Sequence, residues 1–557
     1  MAFRPPVPQI TALLAALGYD RVAATPRFAH AGPETARAVL EQAARLAEDV
    51  LAPLNRTGDT CPARLQSGVV HTPPGFPQGY GAIADGGWVG AAGDPAHGGM
   101  GLPQALSVCV SEMFAGACLA LQTCPLLTHS MILALEANGS EALKAAYLPM
   151  LVSGRWTGTM NLTEPQAGSD VGALRTRAEP TGDGTYRITG QKIYITWGDH
   201  DMAENIVHAV LARLPDGRAG TKGISLFLVP KRIPGEGGRP GAANRLRPVS
   251  LEHKLGLRGS PTAVMEYDGA TGWLVGQPHG GMAAMFTMMN SARLSVGVQG
   301  VGIAEAATQA ALAFARGRVQ GATATGGPAI IGHPDVRRML MTMRALTAAA
   351  RAICLDCAIA LDLAAATGEA GHKARAAFLT PIAKAFATDV GREVADLAIQ
   401  VHGGMGYIEE TGIAQLWRDV RVTAIYEGTN GIQAADLAVR KLADGGGAAF
   451  ALLDEIHAFA AADAELGPGL AAAAGRLREA TAWMAKAPAA DRLAGSAPYL
   501  RAFALVLGAR HLIAAAGDAP ARSVARFHVR QLMPAVDALL GAAIEGDAAL
   551  AMPEATP

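Results

Sequence analysis

The hydrophobic period changes twice along the chain, and that alternation limits the fold more than any single motif. ETARAVLEQAARLAEDVLAPLN, from Glu34 to Asn55, repeats apolar residues at helical spacing until Pro53 ends the run. Helical patterns return from Ala105 to Leu151, beyond the loop-rich GDPAHGGMGLPQ. From about Arg155 the period drops to two. TYRITGQKIYITW alternates β-formers around a Gly-Gln turn, NIVHAVLARL and GISLFLVPK read as strands bracketing the turn PDG, and short strands continue to Trp273. Helical spacing resumes at Gly280, with Val336, Leu340, Met343, Leu346, Ala350, Ile353 and Cys357 on one stripe. The Gly triplet of ADGGGAAF marks a linker to a last Ala-rich helical segment. The order predicts an α+β multidomain chain: an extension over 1–34, an α-helical domain over 35–154, a β domain over 155–276, a helical domain over 280–443 and an additional helical domain over 448–557.

With 557 residues there is chain enough for about three or four such domains. A net charge of −1 with 17% charged residues gives no electrostatic reason to expect nucleic acid or an acidic membrane as partner. The pair Cys354 and Cys357 forms a C-x-x-C inside a helical run, whereas redox and metal sites of that spacing prefer a turn or helix start. It reads as core, and no metal site is expected. The N-terminus lacks a signal-peptide h-region, and the apolar stretches are interrupted by Arg, His or Asp every few residues. A soluble, cytoplasmic chain is the expectation.

Several short elements carry chemistry. In MNLTEPQAGSDVGALRTRAE, Gly168 and Ser169 lie in a turn whose N–H groups and hydroxyl suit a phosphate or carbonyl oxygen. KIYITWGDHD sets Thr196 between the rings of Tyr194 and Trp197, which suits a flat heteroaromatic ligand with a polar edge or else core packing. QVHGGMGYIEE supplies Gly403, Gly404 and Gly406 for close backbone approach. NSARLSVGVQG and ARGRVQG place Arg293 and Arg318 where each can pair with phosphate or lie solvated. The run MAAMFTMMN, with Met282, Met285, Met288 and Met289, lines an acyl channel or packs a helix core. Glu427, in AIYEGTNGIQ, sits between an aliphatic-aromatic run and a Gly-Thr-Asn turn, where it is either a cap-region acid or a desolvated base.

Taken in order, LTEPQAGSD, a Gly-Gln-Lys hairpin ending I-T-W-G, KLGLRGSPT, QVHGGMGYIEE and IYEGTN resemble the acyl-CoA dehydrogenase family over about residues 35 to 440. GQKIYITWGDHDMAENIVH and the additional C-terminal module look most like its 3-methylmercaptopropionyl-CoA dehydrogenase branch of larger bacterial members. The resemblance implies a β-barrel or sandwich over 155–276 and a four-helix bundle over 280–443. It further implies FAD held by Met160, Leu162, Thr163, Ser169, Tyr194, Thr196 and Thr429. Arg318 and Gln320 would reach the FAD of a neighbouring subunit, and Gln400, Val401, His402, Gly403 and Gly404 would receive the adenine end. Ser169, Asn290 and Arg293 would meet the acyl-CoA. Glu427 would remove the α-proton while the β-hydrogen leaves as hydride to flavin N5, giving a trans-2-enoyl-CoA.

Two departures stand out: Tyr194 where many members carry Trp, and ARGRVQG without the family's Phe. Electron-transfer flavoprotein is the implied acceptor, and a homodimer or homotetramer the implied assembly. The competing readings are an acyl-CoA oxidase that returns electrons to oxygen and a nucleic-acid-associated flavoprotein of the same fold. The latter needs a basic C-terminal face, yet from Lys441 onward ten Lys/Arg stand against twelve Asp/Glu.

Overall fold

The computed structural model describes residues 3–235, 237, 239–323 and 326–550, so the outermost ends of segments 1–34 and 448–557 lie outside the described residues. The first helical layer comprises α1 (Pro33–Leu46), α2 (Leu54–Thr60), α3 (Phe76–Asp85), α4 (Gln104–Asn138) and α5 (Glu141–Val152). Pro53 does interrupt the first run, and a new helix starts at the next residue. Helix α4 is long and apolar enough to cross a bilayer, yet other elements cover most of its side chains, and it bends at Cys118, where φ is −156° and ψ 87°.

The seven strands of one sheet follow: β1 (Trp156–Asn161), β2 (Arg177–Pro180), β3 (Tyr186–Thr196), β4 (Asn205–Arg213), β5 (Ile224–Pro230), β6 (Leu246–Leu251) and β7 (Thr262–Val275). Strand β7 pairs with β3, β3 with β2, β2 with β4, β4 with β5, and β5 with β7 again, so the pairing closes on itself. Strands β1 and β6 are added outside this circuit. Ile188, Val210, Phe227, Val229, Met265 and Tyr267 fill the enclosed space as a core separate from the helical one.

One expectation fails here. TYRITGQKIYITW is not a hairpin but the single strand β3, paired with β7 from Thr196↔Thr262 to Tyr186↔Gly272. Gly190 serves a close approach instead: a Cβ there would lie 2.5 Å from Thr176 Oγ1 and 2.9 Å from its Cα.

The second helical layer is α6 (Gly281–Gly317), α7 (Pro334–Thr367) and α8 (Ala370–His402), with the short α9 (Ile413–Val420) and α10 (Asn430–Ala435) against them. Cys354 and Cys357 are buried, unbridged, in α7. Tight turns at Gly445 and Gly446 lead into α11 (Gly447–Ala460), α12 (Gly467–Lys486) and α13 (Ser496–Ala514). This last module docks on the bundle. Phe503 packs edge-on to Phe378 at 5.0 Å, and Arg375 bridges Asp356 at 2.9 Å and Glu455 at 2.8 Å.

Candidate active site

Glu427 lies in the connection between α9 and α10, with φ of 56°. For a residue with a Cβ this left-handed conformation carries strain, which persists only where surroundings enforce it. Here the enforcement is visible. Arg293 Nε and Gln433 Nε2 each donate to the Glu427 carbonyl at 3.4 Å. On the preceding residue, the Tyr426 hydroxyl donates to Gln299 Oε1. On the following side Thr429 Oγ1 caps α10 by accepting from Ile432 N–H at 3.3 Å. The helix cap is therefore Thr429, and the Glu427 carboxylate is left for other work.

That carboxylate is half-buried. Desolvation pushes its pKa up to about 7, against the opposing pull of Arg293 and Lys384. Lys384 is wholly buried, donates to Asn430 Oδ1 at 2.9 Å, and is pulled down to about 8, chiefly by burial. The main-chain N–H of Glu427 meets no acceptor among the described residues. An acid near neutrality, a spare N–H and two adjacent cations form a setting for proton abstraction beside a carbonyl oxygen.

Of these neighbours only Arg293 was read from the sequence. It is buried, not solvated, and also donates to the exposed Asn290 at 3.3 Å. Lys384, Gln299 and Gln433 were missed. Their signal was available for the first two: a lysine in TPIAKAFATDV and a glutamine in LSVGVQGVG occupy positions that the helical period assigns to the interior.

The β domain contributes a second set. Met160 lies one residue before the end of the buried strand β1, and Leu162 and Thr163 follow the strand, half-exposed. Their loop is pinned by a pair the motif contains but whose role was not read. Glu164 accepts from Lys192 Nζ at 2.8 Å and from Thr176 Oγ1 at 2.6 Å. Burial alone would raise the Glu164 carboxyl, but Lys192 and these hydrogen bonds hold it down to about 2. Gly168 and Ser169 are left exposed in a bend, with open space over Gly168.

At the end of β3, Tyr194 has φ of 59° and is 61% exposed, while the Thr196 hydroxyl is half-exposed and finds no partner among the described residues. Trp197 departs from the ligand-facing reading. It is buried, donating through Nε1 to Thr123 Oγ1 at 2.7 Å, so Tyr194 is the only aromatic of that pair presented outward. The KLGLRGSPT loop packs on α9, where Gly256 passes so near Arg418 that a Cβ would lie 2.4 Å from its carbonyl carbon.

A third set lies apart. Arg318 and Gln320 are exposed just past the end of α6. His402, at the end of α8, stacks on Phe314 of α6 at 4.3 Å, which brings Gln400, Val401, Gly403 and Gly404 to the same end. Val401 and His402 are buried, whereas Gln400, Gly403 and Gly404 are exposed. Gly406, not Gly403 or Gly404, makes the close approach: a Cβ there would lie 2.3 Å from Ile399 O. Along α6, Arg293 and Arg318 are separated by about 37 Å at 1.5 Å per residue. In the methionine run Met285 and Met288 are core, and Met282 and Met289 are half-buried.

Models of the acyl-CoA dehydrogenase N-terminal, middle and C-terminal domains match residues 33–155, 159–270 and 279–442. The chain belongs to the acyl-CoA dehydrogenase family. It is 47% identical over 537 residues to 3-methylmercaptopropionyl-CoA dehydrogenase of Ruegeria pomeroyi, covering 94% of this chain and 87% of that one. Among solved structures, butyryl-CoA dehydrogenase of Megasphaera elsdenii matches with TM-score 0.61 and 27% identity, covering 73% of this chain and 98% of that one. Caenorhabditis elegans ACDH-11, solved with C11-CoA, matches with TM-score 0.80 and 20% identity, covering 95% and 91%. The second likeness shows the fold alone, and it extends across the additional C-terminal module. Acyl-CoA dehydrogenases are FAD-dependent oxidoreductases, and the residues here fit that cofactor. An exposed aromatic ring held in a strained conformation, the unpartnered Thr196 hydroxyl and the open Gly168–Ser169 bend offer a stacking face and polar donors.

Proposed function

We propose that this chain oxidises an acyl-CoA thioester to the trans-2-enoyl-CoA, with Glu427 as the base that removes the α-proton. The observation that supports it most is Glu427 itself: a half-buried carboxyl near pKa 7, locked in a strained backbone beside an unpartnered N–H. Its basicity near neutrality places proton transfer close to thermoneutral against an acidified α-carbon. That acidification comes from hydrogen bonds to the thioester oxygen, and the Glu427 N–H is a donor for it. Arg293 holds the base through its carbonyl, and Asn290 and Ser169 are assigned to the CoA portion. FAD, when bound, supplies the acceptor for the β-hydrogen as hydride. Met160, Leu162, Thr163, Ser169, Tyr194, Thr196 and Thr429 would hold its flavin half.

Arg318 lies about 37 Å along α6 from Arg293, at 1.5 Å per residue, and Gln320 and the Gln400–Gly404 segment lie at that same far end. We assign them to the FAD of a neighbouring subunit in a homodimer or homotetramer, with 35–154, 155–276 and 280–443 as the working domains and 448–557 as an addition. The relative's name supports 3-methylmercaptopropionyl-CoA as substrate; we extend the reading to other short or medium acyl-CoAs and to electron-transfer flavoprotein as the acceptor.

The test is a panel of acyl-CoAs assayed by dye reduction and by oxygen uptake, with wild type and Glu427→Gln. Positioned general-base catalysis contributes roughly 10²–10⁴ in rate, so Glu427→Gln should lose at least about 10²-fold in kcat while retaining bound FAD. Near wild-type turnover by that variant overturns the assignment. Oxygen uptake matching dye reduction would make the enzyme an oxidase.

A further inference from the structure

A small cavity of about 50 Å³ lies within the first helical layer, lined on both sides of the Cys118 bend of α4. Ser111 and Phe114 come from one half, Gln122 and His129 from the other, Ser295 from α6 and Trp88 from the turn after α3. A hydrogen-bond chain joins it to the residue beside the base. Tyr426 donates to Gln299 Oε1, Gln299 Nε2 donates to Gln122 Oε1 at 2.8 Å, and Gln122 Nε2 donates to Ser111 Oγ at 2.7 Å. Ser295 and Gln299, four residues apart, lie on one face of α6, so the cavity wall and the relay share that face.

The lining carries spare hydrogen-bonding capacity. The second Gln122 amide hydrogen and the Ser111 hydroxyl hydrogen find no acceptor among the described residues, and His129 Nε2 is buried without a partner. Burial pulls the His129 imidazole down to about 4, so the ring is neutral at physiological pH. A buried polar atom without a partner, as His129 Nε2 is, is costly unless something polar meets it.

We propose that this cavity receives the end of the acyl chain, that Gln122, Ser111 and His129 select a tail with a hydrogen-bonding heteroatom such as a thioether, and that Trp88 is its end wall. The inference rests on the dehydrogenase reading and specifies its substrate class. At about 10–15 Å³ of such space per water-sized occupant, the cavity holds roughly three to five non-hydrogen atoms, room for the sulfur and methyl of a short thioether tail. Trp88 also lines a surface groove of about 580 Å³ bordered by Gln42, Arg45, Asp49 and Met100, so its indole separates the cavity from the groove. Its seat is specific. It packs edge-on against Phe114 at 6.1 Å, and a Cβ on Gly86 would lie 2.4 Å from the indole nitrogen.

The experiment compares kcat/KM of the FAD-loaded enzyme for 3-methylmercaptopropionyl-CoA, its isostere pentanoyl-CoA, and decanoyl-CoA. Wild type should prefer the thioether to pentanoyl and discriminate at least tenfold against decanoyl. Trp88→Gly, or Trp88→Leu where glycine does not yield a flavin-loaded protein, should raise the decanoyl/pentanoyl ratio at least tenfold by opening the groove. Gln122→Met should lower the thioether/pentanoyl ratio at least fivefold. Wild type oxidising decanoyl as well as pentanoyl, or both ratios unchanged in flavin-loaded variants, overturns the proposal while leaving Glu427 as base. A wild type that oxidises no acyl-CoA brings down the dehydrogenase reading and this one with it.

Discussion

Glu427 joins two pH dependences that run in opposite directions. The carboxyl must be ionised to accept a proton, so activity should rise with pH through about 7, where burial has pushed its pKa. Stability goes the other way. A carboxyl whose folded pKa exceeds its unfolded value favours the fold in its neutral form, a contribution fully present below about 4.5 and lost as pH rises through about 7. The substrate-free enzyme should therefore lose stability across the window in which its kcat/KM rises. Glu427→Gln, which mimics the neutral acid, should flatten the stability profile as it abolishes the activity limb. Parallel thermal scans and pH–rate profiles check this, and a limb persisting in Glu427→Gln would assign the titration to another group.

At the level of elements, what was legible in the chain and what was not divide along a physical line. The helical stripe of α7 and the short apolar runs of β4 and β5, which are buried on both faces, follow from burial, which any local window records. Gly190 was misread because a glycine beside glutamine looks the same whether it makes a turn or yields space to Thr176, which lies 14 residues away in sequence. Glu427 was recoverable from motif order, but its strained backbone and the Lys384, Gln299 and Gln433 contacts come from α6, α8 and α10 meeting, which no window contains.

The same holds for Arg351 of α7. In its stripe it resembles a surface arginine, yet it is buried and ion-paired at 2.7 Å to Glu112 of α4 and at 2.7 Å to Glu305 of α6. Removing one partner from such a cluster leaves uncompensated buried charge, so Arg351→Leu should cost about 3–5 kcal/mol. Adding Glu112→Gln should recover part of that loss. Matched unfolding measurements read both, and an Arg351→Leu protein as stable as wild type would show that the cluster carries no net stabilisation.

Across the whole molecule, the roughly parallel course of α6 and α8 puts the two groups of predicted ligands at opposite stretches of the same scaffold. Gly297 lies against Ala383 and Lys384 near the base, and Phe314 stacks on His402 near the far end. On the proposed assignment one copy offers the base and the flavin-half residues near Arg293, and Arg318 about 37 Å further along the helix, at 1.5 Å per residue. Two copies related by a twofold axis can each complete the other, because an isologous interface places the same pair of surfaces together twice. This arrangement makes a prediction that a self-contained subunit does not. Glu427→Gln should bind FAD and fail to turn over, whereas Arg318→Ala should hold FAD weakly with its base intact. When the two are co-expressed, each mixed dimer contains one wild-type site, built from Glu427 of one chain and Arg318 of the other. Random pairing makes half of the dimers mixed, so about a quarter of wild-type activity should return. No recovery in a verified mixed dimer would place Arg318 at its own subunit's flavin, and an Arg318→Ala enzyme with full FAD and full activity would remove the residue from the site.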